Sequence, residues 1–267
     1  MKLVKTMKRA SVLISFLVLF ILLTACGKQP TVIKMGVVDT DIKIWQPTVK
    51  RLKKEGIELV ITPFNSYGQP NGSLFHNEID MNAFQTKAFL KDWNHENQGK
   101  LVAIGDTYVA PMRIYSSHIK SLKQLKRGDS IALPNDDTNK ARALKLLQAA
   151  GVIKLNHAKT PKVSDIVKNR HKFRYFTVDA SVVVRDMSDS TIAVVNDNFA
   201  MAEHLNPAKA LYSESTNQIP NQYTNVIVVN KQHRHNQLYR KVVKAFQTHK
   251  NQKYIETISN HSDQVKW

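Results

Sequence analysis

Arg142 reads as lying in the first helical turn after the stretch Pro134-Asn135-Asp136-Asp137-Thr138-Asn139, where the helical pattern of residues 138–151 begins. A cation near the positive end of a helix is disfavoured by a few tenths to about 1 kcal/mol. The oddity disappears if an anion sits between the guanidinium and the free amides of the helix start. A carboxylate gripped by the guanidinium fork meets that need; a surface arginine, like its neighbour Lys140, is the other reading. Asn196 and Asn225 adjoin apolar runs, Ala193-Val194-Val195 and Val226-Ile227-Val228-Val229. Each amide offers one acceptor and two donors to a partner, and each also suits an ordinary turn. Cys26 is the single cysteine, so no internal disulfide forms and no C-x-x-C metal site exists. A free thiol, a nucleophile and an attachment point remain.

Much chemistry is missing. There is no G-x-S-x-G elbow, no glycine-rich phosphate loop and no H-E-x-x-H. The histidines are scattered, and His233 and His235 flank Arg234 on a basic stretch that reads as surface. Asp136 and Asp137 are adjacent, which suits a turn or a helix cap better than paired acid–base work. Nothing here demands catalysis, a metal or a cofactor; the expectation is a binding protein.

The N-terminus carries an address. Lys2, Lys5, Lys8 and Arg9 precede the apolar run 11–23, which is short against the ~20 residues needed to span a bilayer. A basic head, a short apolar stretch and small residues before a cut describe a secretory signal over residues 1–25. Leu23-Thr24-Ala25-Cys26 resembles the bacterial lipobox, which implies a diacylglyceryl group on Cys26 and a tether over residues 26–30. The expected location is the extracytoplasmic face of the cell membrane, lipid-anchored. Net charge is +18, an excess that invites a nucleic-acid reading. The address and the lack of zinc-finger, RNP or helix-turn-helix patterns argue against nucleic acid. The clusters at 50–54 and 230–241 read instead as surface near anionic head groups or wall polymers.

The elements that must position these residues alternate. Residues 31–38 and 57–64 read as strands and 44–56 as a helix, with Pro47 in its first turn and Gly56 as its cap. That opening implies a parallel sheet. A helix is expected over about 84–96, with Phe84 near its start. Residues 101–116 are too long for one ordinary strand and read as a segment that leaves one lobe and enters another. The pattern of 138–151 is the clearest helix, ended by Gly151. Further strands are expected at 172–178, 190–196 and 223–229, and an amphipathic helix at 235–250. The fold class is α/β.

Four stretches carry a family likeness. "FNSYGQPN" 64–71 with "IDMNAFQTKAFL" 79–90, "PNDDTNKARAL" 134–144, "AVVNDNFA" 193–200 and "YTNVIVV" 223–229 resemble the NlpA/MetQ family of lipoproteins, the substrate-binding subunits of methionine ABC importers. The terminal "VKW" matches too. The resemblance implies a two-lobe type 2 periplasmic-binding-protein fold with a ligand cleft. It implies lobe 1 over 31–112 with 227–267 and lobe 2 over 113–226. It implies methionine or a related small amino-acid ligand, and an ABC permease with its ATPase as partners. Carried over, Arg142 with Asn139 holds a ligand carboxylate, and Asn196 and Asn225 hold the amino-acid backbone, whose zwitterion needs both donor and acceptor. Asp197 and Asn198 are weaker candidates. Tyr67, Phe84 and Phe89 line the side-chain pocket, where a thioether packs well against rings. Thr86 stands where the family often has histidine, and Phe89 where a tyrosine is common. These losses of polar groups leave room for a methionine-containing dipeptide or another amino acid.

Overall fold

The computed structural model describes residues 30–267; Cys26 and the signal-like segment lie outside them. In chain order the elements are β1 (Thr31–Val38), α1 (Ile42–Lys54), β2 (Ile57–Phe64), α2 (Pro70–Phe75), β3 (Met81–Thr86), α3 (Lys87–Glu96), β4 (Leu101–Asp106), β5 (Tyr108–Val109) and β6 (Arg113–Tyr115). There follow β7 (Ser130–Pro134), α4 (Asp137–Ala149), β8 (Lys154–Leu155), β9 (Ile166–Lys168), β10 (Arg174–Val178), β11 (Ile192–Val195), α5 (Asp197–Ala202) and β12 (Tyr212–Ser213). The chain closes with β13 (Asn225–Asn230), α6 (Gln237–Phe246), α7 (His249–Ile258) and β14 (Gln264–Val265).

Two five-stranded sheets organise the body, one ordered β2-β1-β3-β13-β4 and the other β10-β7-β11-β6-β12. In the first, β1 runs parallel to β3 with Met35 opposite Met81, while β13 runs antiparallel to β3 and β4. In the second, β7, β10 and β11 are parallel and β6 and β12 antiparallel. The stretch 101–116 does pass from one sheet to the other: β4 belongs to the first and β6 to the second. The return runs from β12 to β13, and Asn225 and Val226 already pair within the first sheet.

Each sheet has its own apolar core. Ile33, Met35, Trp45, Leu52 and Phe246 centre the first, with the Trp45 and Phe246 rings stacked at 4.3 Å between centroids. Ile131, Leu133, Leu144 and Leu147 centre the second. A third cluster joins Val38 and Phe84 of the first sheet to Tyr115, Ala132 and Val195 of the second, so the two halves share buried apolar surface. Gly36 permits close packing inside the first half: a Cβ there would lie 2.6 Å from Ile79 and 2.9 Å from Phe64.

Several local expectations shift. Gly56 and Gly151 do end α1 and α4, at φ of 73° and 75°, the left-handed region that glycine tolerates. Pro47 lies inside α1 rather than in its first turn, because a 3-10 turn at Asp39–Asp41 and Ile42 start the helical stretch earlier. Phe84 is in strand β3, not near a helix start; Thr86 accepts a hydrogen bond from the Phe89 N–H at 3.2 Å and caps α3. The C-terminal helix breaks into α6 and α7, with Thr248 capping the second through the Asn251 N–H.

Candidate functional site

The parallel strands point their carboxyl ends at one edge, and the cleft opens there, as the geometry of open α/β sheets favours. β1 runs into Asp39, Thr40 and Asp41; β3 ends on Thr86; β7 leads to Asp136 and α4; β11 leads to Asn196 and α5. β13 starts at the same edge with Asn225. The cavity measures about 850 Å³, and Tyr67, Phe84, Thr86, Phe89, Asn139, Arg142, Asn196 and Asn225 all line it. The structure thus brings every candidate ligand residue of the sequence to one space. Asp197 and Asn198 line it as well.

Arg142 is 5% exposed and sits in the second turn of α4, not the first. Its fork is already taken. Nε donates to Glu214 Oε1 at 2.9 Å and Nη2 to Glu214 Oε2 at 2.5 Å; Nη2 also donates to the Ala110 carbonyl at 2.8 Å. The Glu214 carboxylate accepts the Met112 N–H at 2.7 Å, and the guanidinium carbon lies 4.6 Å from the Tyr223 ring centre. Five N–H groups are available to an arginine. Among the described residues no hydrogen bond reaches Nη1, so this edge, and not the fork, is the part of the guanidinium left for a further acceptor.

A chain of amides fixes the next group. Asp136, the N-cap of α4, accepts from the Asn139 N–H at 2.8 Å and from Asn139 Nδ2 at 3.1 Å. With its nitrogen committed to a carboxylate, Asn139 turns its oxygen to Asn196 Nδ2, 2.9 Å away. Asn196 lines the cavity, and its Oδ1 is left buried with no partner. An unmatched buried acceptor costs about 1–3 kcal/mol. Asn225 Nδ2 donates to the Tyr108 carbonyl at 3.1 Å.

The apolar wall is a nest of rings. Tyr67 lies 6.0 Å from Phe84, 6.1 Å from Phe89 and 5.1 Å from Phe199, and Phe84 and Phe89 meet edge-on at 5.8 Å. Its hydroxyl donates to Asn198 Oδ1 at 2.6 Å, and Asn198 Nδ2 donates to Thr40 Oγ1 at 3.0 Å. Asn198, on the second half, therefore clasps two loops of the first. Thr138 Oγ1 donating to Asp92 Oδ2 at 2.6 Å adds a second bridge between the halves.

A further arm of the cavity holds acids that the sequence reading passed over. Burial pushes the Asp41 carboxyl up to about 7, eased by the Thr40 hydroxyl and pushed further by Asp39. Burial and then the Asp41 charge push Asp263 up to about 8, against the pull of Arg113. Arg113 pairs with Asp197, whose other oxygen accepts the Ser262 hydroxyl at 3.1 Å. Glu214, Asp41 and Asp263 stand in no recognisable spacing. Strand pairing and the C-terminal turn place them, and no sequence signal marks them. Among the described residues no cluster of His, Cys, Asp and Glu is placed to hold a metal ion.

The sequence model of a family described as NlpA lipoprotein matches residues 33–267. A curated relative, the D-methionine-binding lipoprotein MetQ of Escherichia coli (strain K12), is 36% identical over 235 residues, covering 85% of this chain and 86% of the relative. Among solved structures, the substrate binding protein of a methionine transporter from Streptococcus pneumoniae superposes with a TM-score of 0.83 at 36% identity, covering 88% of this chain and 96% of that one. A nutrient binding protein from Burkholderia cenocepacia bound to methionine gives 0.84 at 35% identity, covering 88% and 100%.

Proposed function

The chain belongs to the NlpA lipoprotein family, and from that premise we propose that it is a lipid-anchored, extracytoplasmic binding protein that captures methionine and delivers it to an ABC importer. The observation that carries the reading is the convergence of Arg142, of Asn196 with its unpartnered oxygen and of the Tyr67–Phe84–Phe89 rings on one cavity. The ligand carboxylate takes the Nη1 edge, the ammonium takes Asn196 Oδ1, and the thioether packs among the rings. Asn225 completes the backbone contacts and Asn139 orients Asn196. Cys26 carries the lipid. The lobes divide at the two crossings, 107–112 and the segment leading into β13, and ligand contacts from both halves favour the closed state that a permease recognises. Binding and release suffice for this role, and no bond is made or broken.

A cavity of about 850 Å³ lies toward the upper end of small-molecule sites, which run about 300–1,000 Å³. That size supports a second reading in the same class, a longer ligand such as a methionine-containing dipeptide. Mass spectrometry of the small molecule released on denaturing the purified protein separates the two. A thermal-shift panel of amino acids and dipeptides then ranks them, since ligand at 100 times its Kd adds about 2.7 kcal/mol. A panel in which no amino acid or methionine dipeptide raises the Tm overturns the proposal.

A further inference from the structure

The edge of the first lobe opposite the cleft gathers cations that are far apart in sequence. β1, β2 and β3 end at the cleft and β13 begins there, so Val32, Ile57, Met81 and Asn230 share the far edge. α1 runs back from the cleft and ends on that edge with Lys50, Lys53 and Lys54 exposed. β13 also ends there, followed by exposed Lys231 and Arg234 and then by Arg240 and Lys241 on the first turns of α6.

Hydrogen bonds knit the edge together. Asp80 accepts the Lys34 N–H at 2.8 Å and the Tyr239 hydroxyl at 2.9 Å, joining β1 to α6. The Lys231 N–H donates to the Lys100 carbonyl at 2.8 Å, and the Arg51 guanidinium donates to the Ala245 carbonyl. The ion pairs among the described residues are Lys87–Asp106, Arg113–Asp197, Lys140–Asp137 and Arg142–Glu214, and none involves a cation of this edge. Glu55, Glu58 and Glu78 are exposed on the same edge and dilute its charge without cancelling it; Asp80 is turned inward to its two donors.

We propose that this edge is a membrane-contact face that receives the phosphate head groups of an anionic bilayer while the body is away from the permease. Position argues for lipid over other polyanions. The chain enters β1 at this same edge. The residues from Cys26 to Pro30 can reach only about 18 Å, at roughly 3.3–3.6 Å per residue. The inference rests on the proposed lipid at Cys26 for this nearness alone. The two acyl chains of a diacylglyceryl group already anchor the chain stably, so the basic edge sets how the body lies on the bilayer rather than whether it stays there. Each Lys or Arg close to an anionic surface strengthens binding roughly fivefold.

The test uses the body 32–267, which buries its own two cores and lacks the cysteine. Its sedimentation is measured with vesicles of phosphatidylcholine alone and with one third phosphatidylglycerol. The body is expected to bind the anionic vesicles, and to bind at least about tenfold more weakly to neutral ones and in high salt. Lys53→Glu, Lys54→Glu, Arg240→Glu and Lys241→Glu together should weaken binding by about tenfold or more. Lys154→Glu, Lys159→Glu, Lys168→Glu and Lys172→Glu, the same charge change on the other lobe, should leave it within roughly threefold. Thermal melts check folding, and glutamine replaces glutamate in any variant that does not fold. Equal losses in the two sets, or no binding to anionic vesicles, overturn the proposal. Either result leaves the Cys26 reading standing, because that is read separately from the mass of the membrane-extracted full chain.

Discussion

Arg142 shows how a neighbour changes what a residue can do. Helix position and charge single it out in the sequence, but not which of its nitrogens is free. Glu214 decides that, and Glu214 sits beside β12, whose Ser213 pairs with Arg113 across a long-range register. No local pattern announces such a partner. Replacing Glu214 with Gln leaves a buried guanidinium short of its countercharge; urea denaturation is expected to show a loss of roughly 3 kcal/mol. Asn196 makes the complementary case. Its Oδ1 is unmatched without ligand, while its Nδ2 donates to Asn139 Oδ1, so Asn196→Ala should weaken methionine binding by about 1–3 kcal/mol and cost the ligand-free protein less than that. Calorimetric titration paired with melting separates the two effects. Equal losses in both would assign Asn196 to structure.

At the scale of elements, the regular segments were legible and their joints were not. α1 and α4 follow from apolar spacing and from glycines that only the left-handed region explains. The split of the last helix turns on the Thr248 cap, and the strand at Phe84 on pairing of β3 with β1 and β13. Tertiary context sets both. The passage of 101–116 between sheets was readable from its length alone. A contact across the cleft runs through a residue the sequence ranked low: Asn198, on the second half, bonds both Tyr67 and Thr40 of the first. Asn198→Ala removes two hydrogen bonds worth about 0.5–1.5 kcal/mol each. Small-angle scattering should then report a larger radius of gyration without ligand, and methionine affinity should fall several-fold. An unchanged radius with unchanged affinity would count against a clasp.

Over the whole molecule, burial of Asp41 and Asp263 couples stability to pH. Their folded values, about 7 and about 8, stand above the ordinary 3.8. Between those limits the folded protein binds more protons than the unfolded chain. Stability is therefore full at low pH and falls as pH rises from 5 to 8, by up to ~1.4 kcal/mol per pH unit for each group. Chemical denaturation at pH 5, 6.5 and 8 should trace that fall, and Asp263→Asn should flatten it. A stability that climbs over this range contradicts the buried-acid account. The family, the two-lobe α/β class and the cavity-lining residues were readable because short motifs carry them. The two basic clusters at 50–54 and 230–241 were readable too, but their meeting on one edge and the acid arm were not, because only the assembled sheets bring those residues together. The central claim is that Arg142 Nη1 holds a ligand carboxylate inside the cleft, and calorimetry of methionine against methioninamide tests it most directly. The account predicts at least tenfold weaker binding of the amide, about 1.4 kcal/mol or more, with Arg142→Lys erasing most of that difference. Equal affinity for acid and amide in the unaltered protein would contradict it.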